Sequence, residues 1–324
     1  MHNIKAGKTY HIKFGGDGAP VAHIFEEREV HAIQAAYAAR RPLLVRGEPG
    51  VGKSQLAKAA AVATGRAFVQ KVVNIRSEPQ DLLWIDDPIA RLADAQLINA
   101  VSGYMTGGRR ARDLRKKIND RTSYFEPGVF WWAFDWNSAK KQTAEPEQPE
   151  GCKPSNGVVV LIDEIDKAET DLPNGLLEVL GTRSFMPDFF DKPISAPKDR
   201  WPMVVITTNE ERELPAAFMR RCVVLNVALP KDPERLEAFL IERGKAHMGT
   251  RLHESAIEIA AEQLRLARTE AVEKHTRLLP GQAEFIDLLN AVAKLEPCKQ
   301  SDRQIARMEQ IKQFFLEKSK RDVE

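Results

Sequence analysis

Cysteine is scarce in this 324-residue chain: Cys152, Cys222 and Cys298 stand far apart, and no two form a C-x-x-C pair. An odd, sparse set argues for a reducing compartment, and its spacing offers no zinc site. Long apolar runs are missing as well. No stretch approaches the ~18 apolar residues a membrane-crossing helix requires. The opening MHNIKAGKTYHIKFGGDG is polar and glycine-rich, without the apolar core of a signal peptide. The expected location is therefore cytoplasmic. Charge of one sign is not in excess: basic and acidic residues nearly cancel, at +2. That gives no electrostatic case for nucleic acid as the main partner, although a local basic patch stays open. Internal repeats are also lacking. What is present is the composition of a soluble globular protein, 43% apolar and 29% charged. The length suits two domains of roughly 150 residues each.

Periodicity divides the chain further. Residues 1–20 read as a short, partly extended lead-in without a clear core pattern. Over 21–40, Ile24, Val30, Ile33, Ala36 and Tyr37 recur at helical spacing and predict a helix. Pro42-Leu43-Leu44-Val45 reads as a buried strand entering a glycine-rich turn, and SQLAKAAAVATG as an alanine-rich helix closed by Gly65. A second strand is expected over 67–75. DLLWIDDPIARLADAQLINAVSGYM looks helical, interrupted at Pro88 and Gly103. Then come the basic GGRRARDLRKKINDR, the aromatic YFEPGVFWWAFDW and the Pro/Glu/Gln-rich AKKQTAEPEQPEGCKPSNG, the last expected as a surface excursion. GVVVLI is almost purely β-branched and apolar, as a strand buried on both faces of a parallel sheet should be. A helix over 172–180 and a hairpin-like region over 183–196 precede two more strands, MVVITT and VVLNV. Everything from Asp232 onwards reads helical, broken at Gly249, Pro280-Gly281 and Pro297. The expected organisation is a 1–20 lead-in, an α/β domain over 21–230 with an insertion at about 99–156, and a small all-α domain over 231–324.

Four features carry chemistry. Gly47, Glu48, Pro49, Gly50, Val51, Gly52, Lys53 and Ser54 fit G-x-x-x-x-G-K-[ST] in full, with Gln55 next on the helix. Glycines let backbone N–H groups curl around a β-phosphate, and the helix behind points its positive end at it. Lys53 would bridge the β- and γ-phosphates of a nucleoside triphosphate, ATP, and the Ser54 hydroxyl would ligate Mg²⁺. Asp163-Glu164 ends the VVVLI strand, where a carboxylate faces the ligand crevice of an open α/β sheet. Asp163 would hold Mg²⁺ through water, and Glu164 would act as general base on an attacking water. A kinase would not need that adjacent Glu; a hydrolase does. Asn209 closes the next strand and can sit between Glu164 and the γ-phosphate. Arg220-Arg221 reads as a solvated face or as an arginine that stabilises charge on a neighbour's nucleotide.

These features in this order, with a helical region behind them, resemble the AAA+ ATPases. GEPGVGKS, LIDEIDKA followed by NGLLEVLGTRSF, and ITTN followed by ELPAAFMRRC are similar to the MoxR-like branch over roughly 21–295. The resemblance implies a P-loop α/β parallel sheet with an all-α lid. It further implies a homo-oligomeric ring, commonly a hexamer, with ATP at the subunit boundaries. A chaperone-like role in remodelling a partner protein follows, many relatives working with a von Willebrand A domain protein. Lys53, Ser54, Asp163, Glu164 and Asn209 fall on the Walker A, Walker B and sensor 1 positions. Arg221, preferred over Arg220, falls on the finger position, where Arg220-Arg221-Cys222 stands in place of the branch's Asp-Arg-Phe. The chain departs from the branch in having Asn209-Glu210 where Asn-Pro is frequent. It also has Leu279-Pro280-Gly281-Gln282 where a Ser-Pro-Arg would place the lid's sensor 2 arginine, with Arg277 the nearest substitute.

The span between the two Walker motifs is long, roughly 110 residues. Its aromatics, Phe130, Trp131, Trp132, Phe134 and Trp136, read either as a packed satellite core or as anchors that line a pore or dock a partner. The basic run over 109–121 reads either as a solvated helix face or as a contact for an anionic partner such as DNA. Two rivals stand beside the remodelling ATPase. One is a nucleotide-dependent switch that assembles a signalling or anti-phage defence complex. The other is a DNA-directed AAA+ motor.

Overall fold

The computed structural model describes residues 3–15, 20–101, 116, 118, 120–188, 190–276, 279–297 and 300–316. In chain order its first elements are strands β1 (Thr9–Ile12) and β2 (Val21–Ile24), helix α1 (Glu27–Ala39), β3 (Leu43–Arg46), α2 (Lys53–Thr64) and β4 (Arg66–Val72). Then come β5 (Trp84–Asp86), α3 (Pro88–Val101), β6 (Phe125–Pro127), α4 (Val129–Phe134), α5 (Trp136–Gln142), β7 (Lys153–Asp163) and α6 (Asp171–Thr182). A short pair β8 (Ser184–Phe185) and β9 (Ile194–Ser195) leads to β10 (Met203–Thr208), α7 (Ala216–Met219) and β11 (Val223–Asn226). Five helices follow: α8 (Pro233–Met248), α9 (Glu254–Glu273), α10 (Gln282–Leu295), α11 (Ser301–Ile311) and α12 (Gln313–Leu316).

The central sheet has five strands in the order β11-β3-β10-β7-β4, all paired in parallel. Parallel strands need crossover connections, and helices supply them on both faces, so β-branched runs such as Val158–Ile162 end up shielded from water on both sides. Side chains alternate. Leu44, Val160, Ile162 and Ile206 face a cluster built around α4, while Leu43, Val159, Leu161 and Val205 face α1 and α2. A third cluster belongs to α8–α12, and Val51 of the glycine-rich loop is buried in it beside Leu229, Phe285 and Leu289. The expected fold class, a P-loop α/β sheet followed by an all-α region, is the one observed.

Several expectations need correction. Residues 21–24 are a strand, not the start of a helix: β2 pairs antiparallel with β1 and buries Ala22 and Ile24. The helix begins at Glu27, after a reciprocal capping box in which the Glu26 and Glu29 carboxylates satisfy first-turn N–H groups. The lead-in is not patternless either, since Ile4, Tyr10 and Ile12 are buried in the α1/α2 core. Within the stretch expected to be helical from Asp81 on, Trp84–Asp86 form a strand that pairs with Phe125–Pro127. That partner lies far along the chain, which local periodicity cannot register. The excursion over 139–156 does run mostly along the surface, as expected, but it is anchored there. Ala139 and Cys152 are buried, and the Gln148 amide accepts from Phe68 N at 2.7 Å and donates to Phe68 O at 3.0 Å. Gln148 thereby satisfies both the backbone N–H and the C=O of Phe68 on the outer edge of β4, which would otherwise need water or a foreign strand.

The aromatic run takes the packed reading, with one change. Phe130 and Trp131 are fully buried in the sheet's own core rather than in a satellite, and the Trp131 indole N–H donates to Ser138 Oγ at 2.6 Å. Most of the basic run over 109–121, together with Arg277 and Cys298, lies outside the described residues. Cys152 and Cys222 are free and buried, and burial raises their thiols to about 11 and about 12.

Two outcomes follow for stability. Trp131→Ala should cost about 3–5 kcal/mol, read as a lower urea midpoint, because it removes a fully buried ring and its hydrogen bond to Ser138. Glu29 is buried beside His23, and burial raises its carboxyl from 4.5 to about 7. The folded chain therefore binds a proton between those values that the unfolded chain has released, and this group's contribution declines as pH rises through that window. Comparing urea midpoints from pH 4.5 to 7.5, Glu29→Gln should gain on the parent by up to about 3 kcal/mol at the upper end. A constant difference would refute that role.

Candidate active site

Strand β3 delivers the chain to Gly47, where the backbone doubles back toward α2. An added Cβ at Gly47 (φ +153°) would lie 2.0 Å from Val227 O, and Gly52, which caps α2, sits at φ +91°. Both positions therefore need glycine. The first residue of α2, Lys53, points back into the turn it leaves. Its Nζ donates to Gly47 O at 2.7 Å, Glu48 O at 2.8 Å and Asn209 Oδ1 at 2.8 Å. Burial lowers the Lys53 pKa, opposed by the charges of Asp163, Asp166 and Glu164.

The carboxyl ends of β7 and β10 meet this loop side by side. Ser54 Oγ lies 2.7 and 2.9 Å from the two Asp163 oxygens, and the Thr207 hydroxyl donates to Asp163 Oδ1 as well. Glu164 follows in a left-handed conformation (φ +61°) that turns its side chain away from the strand. Its backbone N–H donates to Thr207 Oγ1 at 2.9 Å, and its carboxylate meets Asn209 Nδ2 at 3.4 Å and the Lys167 ammonium. The result is a continuous polar chain from Lys53 through Asn209 to Glu164, with Ser54 and Asp163 alongside. These groups border an open cavity of about 890 Å³, lined as well by His23 of β2 and by Gln282, Ala283 and Ile286 of α10. Gln55 lines it too, its Oε1 buried without a partner among the described residues.

The arrangement suits a magnesium-bound polyphosphate. Ser54 and Asp163 offer only oxygen, the donor a small hard dication takes, and the loop presents backbone N–H groups and one ammonium to anionic oxygens. Arg221 stands apart from this group: it is exposed just after α7, and its guanidinium donates to Ala217 O at 3.4 Å. Arg220 is exposed as well, its carbonyl accepting from Arg41.

Three participants escaped the sequence reading. Asp166, only 2% exposed, accepts from the backbone N–H groups of Asn209 (3.2 Å) and Glu211 (2.9 Å), which fixes the turn that aims Asn209. Its signal was present in DEID, but nothing marked the second aspartate as buried. Thr207 looked like strand filler. Arg268 of α9 reaches the loop and contacts Glu48 at 2.7 Å, from a position where no motif pointed. The departure at Glu210 has a geometric cause. Glu210 stands at φ +62° and pairs with Arg46, and proline, whose ring fixes φ at a negative value, could not adopt that conformation.

A parallel sheet whose strand ends place Lys53, Asp163 and Asn209 around a glycine loop, with a helical region over the cavity, defines a P-loop nucleotide-binding protein of the AAA+ class. Residues 42–222 match the model of the AAA domain, dynein-related subfamily. The match spans more than half the chain, and the chain belongs to that family, whose members are generally nucleotide-binding ATPases. No curated protein matches the chain. Among solved structures it is similar to a RuvB point mutant from Thermotoga maritima, at 15% identity over 88% of this chain and 68% of that one, TM-score 0.44. It is also similar to a putative ATPase from Cytophaga hutchinsonii, at 13% identity over 89% and 79%, TM-score 0.36. Neither likeness is close enough to bear on function.

Asp166→Ala should leave two backbone N–H groups without their acceptor. The expected cost is about 1–3 kcal/mol in chemical denaturation. Unchanged stability would mean that water replaces the carboxylate.

Proposed function

We propose that the chain binds ATP with Mg²⁺ and hydrolyses it to remodel, activate or switch a partner protein, as a MoxR-like AAA+ ATPase. The observation that carries this reading is the contact chain Lys53–Asn209–Glu164, which ties the phosphate loop to a carboxylate able to accept a proton. Lys53 exchanges the carbonyls of Gly47 and Glu48 for phosphate oxygens, while the backbone from Gly47 to Gly52 cradles them. Ser54 and Asp163 would hold Mg²⁺, which when bound neutralises charge between the β- and γ-phosphates. Glu164 accepts the proton of the water that attacks the γ-phosphorus, and Asn209 keeps that carboxylate in place. Arg221, exposed and unattached to its own site, is offered to the nucleotide of a neighbouring subunit in a ring, commonly a hexamer in this class. The helical region, 231–324, would act as a lid on a nucleotide-binding domain spanning 21–230, with Gln282, Ala283 and Ile286 of α10 on the wall of the cavity. A von Willebrand A domain protein fits the partner role, and no step calls for DNA or a lipid bilayer. Among the described residues no helix is long and apolar enough to cross a membrane.

A second reading has one observation in its favour. Lys167 already holds Oε2 of the Glu164 carboxylate, so one of the two oxygens of the base is engaged. Slow turnover until a partner draws Lys167 away is what a nucleotide-dependent switch would show. Measuring turnover with and without the partner separates the switch from the motor.

Glu164→Gln should bind ATP normally while turnover falls about 10²–10⁴-fold. Persistent turnover would remove Glu164 from the role of base. Rings mixed from Arg221→Ala and Glu164→Gln subunits should recover some hydrolysis, because a sound Arg221 then faces a sound Glu164. No recovery in rings shown to be mixed would place the arginine's action elsewhere.

A further inference from the structure

The phosphate loop carries a carboxylate of its own, one residue after Gly47 and beside the cavity rather than on its wall. Glu48, its second residue, has a side chain 47% exposed, and alone it would oppose the anionic charge that Lys53 attracts. Arg268 meets it: Nη2 donates to Glu48 Oε2 at 2.7 Å, while Nη1 donates to Pro280 O at 3.0 Å. The arginine side chain is only 14% exposed and belongs to α9, so the charge that neutralises the loop comes from the lid. Two further contacts dock the lid at the same place. Ala283 N donates to Gly50 O at 3.0 Å, and Val51 is buried in the lid's apolar cluster. The lid therefore reaches three successive parts of the loop: a charge at Glu48, a carbonyl at Gly50 and a methyl surface at Val51.

We infer that Arg268 is a positioning residue acting through Glu48: by pairing with that carboxylate it lets the loop accept a triphosphate, and only while the lid is docked. The inference rests on the reading of residues 47–54 as an ATP loop. With the lid away, Glu48 is unpaired and repels the incoming phosphates. With the lid docked, the carboxylate is spoken for and the loop presents net positive charge. The requirement grows with the number of phosphates, so a triphosphate feels it more than a diphosphate. An arginine that instead contacted the γ-phosphate itself would show no dependence on Glu48.

The test is a thermodynamic cycle on the full chain with Mg²⁺, using mant-labelled β,γ-imido ATP and mant-ADP as probes. Arg268→Ala should weaken the triphosphate by about tenfold or more and the diphosphate by less. Adding Glu48→Gln to Arg268→Ala should bring triphosphate affinity back to within about threefold of the parent. Arg268→Lys, which keeps the charge, should rescue in part. A double variant as weak as Arg268→Ala alone overturns the inference, as does an Arg268→Ala variant that binds like the parent. If Arg268→Ala does not fold, Arg268→Gln carries the same comparison. A parent chain that binds neither probe overturns the ATP reading as well. Parent binding without rescue overturns this inference alone.

Discussion

The site is organised around one buried cation. Lys53 cannot leave its ammonium unpaired away from water, and it finds three acceptors: two carbonyls of its own loop and the side chain of Asn209. Meeting that demand fixes several things together. The loop must curl tightly enough for Gly47 and Glu48 to face the first residue of the following helix, which requires glycine at the turn. Strand β10 must end level with β3, which parallel pairing of Val205–Thr208 against Leu43–Arg46 provides. Asp163 and Glu164 must end β7 at the same height, as the register between β10 and β7 sets. Two of the three acceptors are carbonyls of the loop itself, so a change of partner at Lys53 would not require the sheet to change.

Much of this was legible in the residues themselves. The glycine loop, the acidic strand end and the asparagine after MVVITT are local in sequence, and each lies next to a buried apolar run that announces its strand. Their meeting is a consequence of parallel order, which puts all these strand ends on one edge of the sheet. What stayed hidden was nonlocal. Asp166 gains its role from two backbone N–H groups more than forty positions away. Arg268 meets Glu48 across 220 positions, through a lid whose docking no periodicity describes. The pairing of β5 with β6 bridges a long connection, so Trp84–Asp86 looked like part of a helical stretch broken at Pro88 and Gly103.

Composition misled in a different way. A Pro/Glu/Gln-rich segment reads as solvated because it cannot build a core, and it does not build one. It supplies the Gln148 amide to a peptide of an edge strand, a function that depends on hydrogen-bonding capacity and not on apolar area. The aromatic run erred in the opposite direction. Its rings were legible as a packing unit, but only the sheet could show that α4 is part of the main core and not an appendage.

The burial of Val51 among lid residues bears on how such a chain can be divided and recombined. A single valine is claimed by the nucleotide loop through its backbone and by the helical region through its side chain. Cutting the chain between β11 and α8 would leave a loop with an exposed aliphatic side chain and a bundle with an empty socket. A transplanted bundle would work only if its socket matched the donor loop's side chain. The two halves are thus separable as lengths of chain but not as interchangeable parts, and the fit between them is decided at a residue that the phosphate-loop motif leaves free.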